Sequence, residues 1–389
     1  MKAYHFTEMP YPHLPPAETY ESDRVSLPSC HFDPAVGAGL YQRYLDEYVI
    51  ADELGLDLML NEHHQTPTCL DTAVPLTAAI LARITRNARI LVLGNPVANR
   101  EDPIRIAEEM AMVDVISRGR LDCGFVRGVP YEIFCSNSNP TQTGERLWEG
   151  IELIRRAWTS HDGPFNFEGK HWHKRQVNIW PRPFQSPHPP IWTTGSTVSP
   201  AVADIARKGY HFASFLQPHD VVRGLFDVYR SGCAEGPAVA NSRLAFMPLV
   251  FVAESDAAAR EGAEKLSWFI KSKTPPQFRN PPGYVSIGIN VRALKGEFSG
   301  RTAAIRQRGM DYLIDSGVVM AGTPDDVVAQ IIRFHDRVGG FGHLLCMLQA
   351  GFLSHEETIR NMTLFACEVY PRIRHLGNPP AEKKDRKSA

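Results

Sequence analysis

Short apolar runs and amphipathic stretches alternate along almost the whole chain, the pattern of strands followed by helices and hence of an α/β fold with a parallel sheet. Lys2 to Thr7 predicts a first strand. Tyr41, Tyr44, Leu45, Tyr48 and Val49 recur at helical spacing and stop at Gly55, which predicts a helix with a glycine end, and Asp57 to Leu60 reads as the second strand. The cycle repeats with a helix over Thr72 to Ile84, a strand over Arg89 to Gly94, and a helix opened by Asp102-Pro103, an N-cap followed by a first-turn proline. Leu121 to Phe125 is a fourth strand, and Leu147, Trp148, Ile151, Ile154 and Trp158 form the apolar face of the next helix. Further strands follow at Pro190 to Thr194, Tyr210 to Phe215, Arg243 to Val252 and His343 to Leu348, with helices opened at Ser199-Pro200, near Asp256 and at Thr323-Pro324.

Eight strands alternating with helices, with no shift in composition to mark a linker, predict one (β/α)8 TIM barrel rather than a doubly wound sheet. The barrel domain spans residues 1–378 on this reading, with Pro-rich or Pro/Gly-rich insertion segments near 8–40 and 271–305 at the strand C-terminal face, and a basic tail over 379–389. A 389-residue chain that is 43% hydrophobic supports a large core, and a net charge of −1 provides no global field toward nucleic acid or an anionic membrane. Any anionic ligand must therefore meet a local cluster. The absence of a long apolar segment favours neither a signal peptide nor a membrane span, which makes the cytoplasm the expected compartment. Seven scattered cysteines without a CxxC pair argue against a disulfide framework or structural zinc, and Cys123 and Cys346 read as inert core residues.

In a barrel, the residues that follow each strand converge on one face. The second strand delivers Asn61-Glu62-His63-His64, the third Gly94-Asn95-Pro96, the fourth Arg127 between Gly124 and Gly128, and the fifth Thr193-Thr194-Gly195-Ser196-Thr197 running into a helix capped at Ser199. A guanidinium flanked by small residues and a hydroxyl-rich turn at a helix N-terminus both suit a phosphate, and Arg146 could be a second arm. The bland alternatives are a structural arginine at a strand end, an ordinary N-cap and a solvated surface residue. Glu62-His63-His64 contains good metal ligands, but neighbouring strand residues point to opposite faces, so the spacing speaks against one shared ion. A histidine at this position can instead exchange protons near neutral pH.

With these residues in place the chain resembles the bacterial luciferase-like superfamily of flavin-dependent monooxygenases over roughly residues 2–375. The resemblance rests on Ala51-Asp52-Glu53-Leu54-Gly55-Leu56-Asp57, Glu62-His63-His64, Asp102-Pro103-Ile104-Arg105 and Ser117-Arg118-Gly119-Arg120-Leu121, all before the Gly-Phe-Val-Arg-Gly segment. Pro189-Pro190-Ile191-Trp192, Gly195-Ser196, Gly322-Thr323-Pro324 and Phe365-Ala366-Cys367-Glu368-Val369-Tyr370-Pro371 follow in order. It implies reduced FMN as co-substrate, with its phosphate on Arg127, Arg146, Ser196 and Ser199, and with Glu62, Gly94, Asn95, Val126, Thr193 and Gly195 completing the cofactor site. It also implies catalysis by His63 and a non-prolyl cis peptide, best matched here by Gly94–Asn95. Val126 stands where luciferase has a cysteine, which weakens any expectation of aldehyde oxidation or light emission. The implied activity is a two-component monooxygenase: a separate NAD(P)H-dependent flavin reductase supplies reduced FMN, O2 adds to it, and a flavin peroxide oxidises a small organic substrate. A homodimer or higher homo-oligomer is also implied. A deazaflavin-dependent oxidoreductase of the same fold, a non-catalytic flavin-binding protein and a metal-dependent barrel hydrolase stand as the alternatives. Trp172, Trp180, Phe278 and Tyr284 permit an apolar or aromatic substrate, or serve as loop-packing anchors.

Overall fold

A computed structural model describes residues 1–274, 278, 281–295 and 305–377. The strands are β1 (Lys2–Thr7), β2 (Asp57–Leu60), β3 (Ile90–Asn95), β4 (Leu121–Phe125), β5 (Phe165–Glu168), β6 (His173–Val177), β7 (Ile191–Thr194), β8 (His211–Phe215), β9 (Leu244–Met247), β10 (Leu249–Val252), β11 (Val319–Gly322) and β12 (His343–Gln349). A parallel ladder runs β1-β2-β3-β4-β7-β8-β9-β12 and closes by pairing β12 back onto β1, with Tyr4 opposite Leu345. This is the eight-stranded barrel expected, with helices between the strands.

Alternation within the strands explains both layers of core. In β3, Leu91 and Leu93 point into the barrel while Ile90 and Val92 meet the helices outside; in β12, Leu345 and Met347 point in while Leu344, Cys346 and Leu348 point out. Strands apolar on both faces read as continuous hydrophobic runs, which is why the sequence located them. Both glycine-rich turns and side-chain caps then place the helices. Asp102 accepts the Ile104 N–H at 2.9 Å to open the helix Pro103–Ser117, and Arg118 and Gly119 close it with positive φ. Arg120 just beyond donates to the Ala82 and Ala88 carbonyls, both 2.8 Å away, tying the end of the helix Val74–Ile84 to β4.

The structure corrects the expected elements in three places. The run from Arg243 to Val252 is two strands, not one, because Pro248 has no N–H to donate; β9 and β10 both pair with β12, and β10 also pairs with β11. The short strand β11 was not anticipated, and neither was the antiparallel hairpin β5–β6, whose sequence is largely polar and exposed. Part of the second insertion and the whole of 379–389 lie outside the described residues. No helix among the described residues is long and apolar enough to cross a membrane.

Candidate active site

A cavity of about 530 Å³ opens at the carboxyl ends of the barrel strands and is roofed by segments from both insertions. Phe6, Met59, Leu93, Val126, Phe212 and Met247 form apolar walls, and Phe278, Tyr284 and Ile289 cover it from the second insertion. Of the residues expected at the site, Glu62, His63, Gly94, Val126, Arg127, Thr193, Gly195, Ser196 and Ser199 line this cavity.

Several lining residues are donors. The Arg127 guanidinium stacks 3.6 Å over the Tyr284 ring, whose hydroxyl donates to the Gly128 carbonyl at 2.7 Å. No described carboxylate pairs with Arg127. On the neighbouring strand, paired with β4 through Phe125 and Thr193, β7 ends in the turn Thr193 to Ser199, which leads into the helix Pro200–Arg207; Ser199 takes an extended N-cap conformation but its hydroxyl does not cap the helix. None of the hydroxyls of Thr194, Ser196, Thr197 and Ser199 bonds a described residue. A guanidinium, several uncommitted hydroxyls and a helix N-terminus lining a largely apolar cavity could hold the phosphate and ring of a flavin nucleotide.

Arg146 and Asn95 lie elsewhere. On the helix Thr143–Thr159, Gly144, Leu147 and Trp148 face the cavity, and Arg146 points off that stripe; it donates to the carbonyls of Ala98 (2.8 Å) and Arg100 (3.1 Å) and stacks on Trp172. Asn95 is fully buried, with its amide on the Gly124 carbonyl at 3.3 Å and beside Met110. The non-prolyl cis bond is Leu93–Gly94, one bond before the expected Gly94–Asn95. The register of β3 against β4 shifts between Val92 and Asn95, and Asn95 has already rejoined it opposite Phe125, so the irregular bond falls earlier. Gly94 is required there, since a Cβ would sit 2.9 Å from Val126 and 3.0 Å from the Gly124 carbonyl.

The Glu-His-His turn after β2 also meets the cavity, through Glu62 and His63. Glu62 is a buried hub: Arg100 donates to both of its oxygens at 2.7 Å, His64 Nε2 lies 2.8 Å away, and the Val74 N–H donates at 3.1 Å. His64 is thereby held on Glu62 and does not line the cavity, whereas His63 does; both lie in the loop past β2, so the Glu62 contact and not strand alternation sets them apart. His63 Nδ1 lies 2.8 Å from Glu132 and Nε2 lies 3.7 Å from Glu8. Burial alone would lower the His63 pKa, but the two carboxylates outweigh it and raise the group above its ordinary value. Glu8 and Glu132 were not anticipated from sequence. They come from the loops after β1 and β4, and only Glu132, five residues past Arg127 in the same loop, carried a local hint. Among the described residues no group of three or more His, Cys, Asp or Glu side chains could hold a metal ion.

Residues 25–339 match the model of the family described as luciferase-like monooxygenase. The chain belongs to this family. It is 29% identical over 237 residues to the oxygenase component of a flavin-dependent trigonelline monooxygenase from Acinetobacter baylyi, covering 59% of this chain and 64% of that protein. That alignment thus spans a little under two thirds of the relative. A 2,5-diketocamphane 1,2-monooxygenase from Pseudomonas putida is 23% identical over 84% of this chain and 92% of its own length. An F420-dependent glucose-6-phosphate dehydrogenase from Amycolatopsis mediterranei is 26% identical, covering 86% and 96% of the two chains. A monooxygenase from Streptomyces bottropensis shares the fold with a TM-score of 0.72 at 24% identity, covering 95% of this chain and 99% of that one. Within the luciferase-like family the cavity at the strand carboxyl ends is the natural candidate for the cofactor site.

Proposed function

We propose that this chain is the oxygenase component of a two-component monooxygenase, taking reduced FMN and O2 and oxidising a small organic substrate. The observation that carries the reading is one cavity lined both by uncommitted phosphate donors and by a histidine held between carboxylates. Arg127 and the Thr193 to Ser199 turn hold the phosphate, Leu93, Gly94 and Val126 form the floor beneath the ring, and bound reduced flavin supplies the chemistry that activates oxygen. Phe269, Phe278, Val285 and Ile289 shield the substrate side from water and favour an apolar or aromatic compound. Of the other aromatics, Trp172 packs against Leu153 and Phe167, and Trp180 is exposed.

The naming of one relative as an oxygenase component supports a separate reductase, as does the lack of a G-x-G-x-x-G segment after a strand. The F420-dependent relative keeps a deazaflavin reading in view, because a phosphate-bearing deazaflavin would use the same clamp. Leu76, Ile80 and Ile84 on one helix and Met112, Val115 and Ile116 on its neighbour form an exposed apolar face, which supports a homodimer. The deciding experiment supplies reduced FMN through an added flavin reductase and follows oxygen uptake and product mass over a substrate panel, with reduced F420 as the comparison. Oxygen uptake without any oxygenated product, or hydride transfer from reduced F420 alone, would refute the monooxygenase reading.

A further inference from the structure

His63 is gripped from both sides of its ring. Its Nδ1 faces Glu132 Oε1 at 2.8 Å, and the same oxygen accepts the His64 N–H at 3.0 Å, while Glu132 Oε2 is buried with no described partner. Its Nε2 faces Glu8 Oε2 at 3.7 Å, an oxygen that also accepts from Asn61 Nδ2 at 2.9 Å. Both carboxylates are buried and both line the cavity. Arg24 lies beyond them with its guanidinium 3.5 Å from the Tyr131 hydroxyl, and the Tyr131 ring sits 6.3 Å from the imidazole. The backbone N–H of His63 donates to the backbone carbonyl of Asp71 at 3.2 Å, and the Asp71 carboxyl, Glu62 and Cys69 are the other titratable groups nearby.

We propose that Glu132 and Glu8 are positioning residues that hold His63 as an imidazolium with Nε2–H facing the Glu8 carboxylate at the cavity wall, making it a proton donor to the cavity rather than a base. The bond to Glu132 fixes the proton on Nδ1. A neutral ring would then turn a bare Nε2 lone pair toward the Glu8 carboxylate, two acceptors facing one another, and protonation of Nε2 converts that repulsion into attraction. In the transfer, the Nε2–H bond breaks and an O–H bond forms on an oxygen anion in the cavity; the electron pair stays on Nε2, leaving a neutral imidazole still bonded to Glu132. Water restores the proton, and no oxidant or reductant enters the step. The proposal rests on the function above only for the identity of that oxygen anion.

The test is a titration of the full-length protein with ring-15N histidine, read by NMR, with His63→Asn identifying the His63 signals. The wild type should show a His63 pKa above 6.5, the usual value. Glu132→Gln keeps the acceptor and the shape but not the charge, and should lower that pKa by about one unit, a tenfold loss of proton affinity; Glu8→Gln should lower it as well. In coupled turnover the alkaline limb of the pH profile should move to lower pH in Glu132→Gln, whereas a merely structural glutamate would reduce its height without moving it. A wild-type pKa below 6.5, or one unmoved in both folded variants, overturns the proposal; if neither variant folds, the wild-type value alone decides. The titration needs no flavin, so a protein that passes it yet takes up no reduced FMN would sink the proposed function and leave this inference standing.

Discussion

Replacing Arg127 with alanine should weaken FMN binding about ten- to a hundredfold and leave riboflavin nearly unaffected. In the structure the guanidinium has no described carboxylate partner and rests on the Tyr284 ring 3.6 Å away, so removing it strands no buried anion and breaks no internal ion pair. The loss should then come from the ligand side, where a hydrogen bond to a charged group contributes about 1.5–3 kcal/mol, and each 1.4 kcal/mol is a factor of ten. Losing the contact with Tyr284 loosens the roof for both ligands alike and cancels in their ratio. Arg127→Lys should recover part of the affinity, since a point charge replaces the planar fork, and the FMN preference should shrink at high salt. Fluorescence or calorimetric titration of both ligands at two ionic strengths measures all of this. Equal losses for FMN and riboflavin would make Arg127 a structural residue and dissolve the phosphate clamp.

Three further outcomes follow from the same geometry. His63→Ala should cut coupled product formation by about 10²–10⁴ with little change in FMN affinity, while His64→Ala, which only trims the Glu62 hub, should keep most turnover; a reversal in steady-state assays would mean that the other face of the turn is active. Asp71 is pushed up to about 7 by burial, against its bond from Thr77 and reinforced by nearby Glu62, so the fold favours its protonated form and is penalised as pH rises from near 4 through 7. Asp71→Asn should therefore gain about 2 kcal/mol more stability at pH 8 than at pH 5, and urea melts giving the same gain at both would contradict the sign. Ile80→Asp, placing a charge in the exposed apolar face of the helix Val74–Ile84, should weaken a homodimer at least about tenfold without affecting the monomer fold, a change visible by light scattering.

The barrel was readable because its inner strands are buried on both faces and bounded by caps and glycines, a signal that survives without any knowledge of contacts. β11 was missed because four apolar residues beside a glycine look like a helix end, and the β5–β6 hairpin because His173 to Val177 carries charges where a strand pattern would be sought. The candidate site was legible where residue type at a strand end marks it, since Arg127, His63 and the Thr193 to Ser199 turn all line the cavity. It was opaque where distant residues converge: Glu8 and Glu132 are separated from His63 by 55 and 69 positions, and nothing local links them. Arg146 marks the middle case, since counting from Gly144, Leu147 and Trp148 would have turned it off the cavity.

The break at Pro248 has an architectural consequence for how this protein could be altered. Residues 253–318 leave the barrel at the end of β10 and return at the start of β11, and those two strands lie side by side, with Leu249 paired to Val319 and Val252 to Gly322. The sheet itself therefore brings the two ends to within about one short strand length, on the order of 10 Å. Doubling the length of a flexible connection between such fixed ends costs only about 0.6 kcal/mol. The connection between β10 and β11 is thus a place where the barrel sets little constraint on chain length. Phe278, Tyr284 and Ile289 within that connection line the cavity, so a change there reshapes the cavity wall and not the strands that close the barrel.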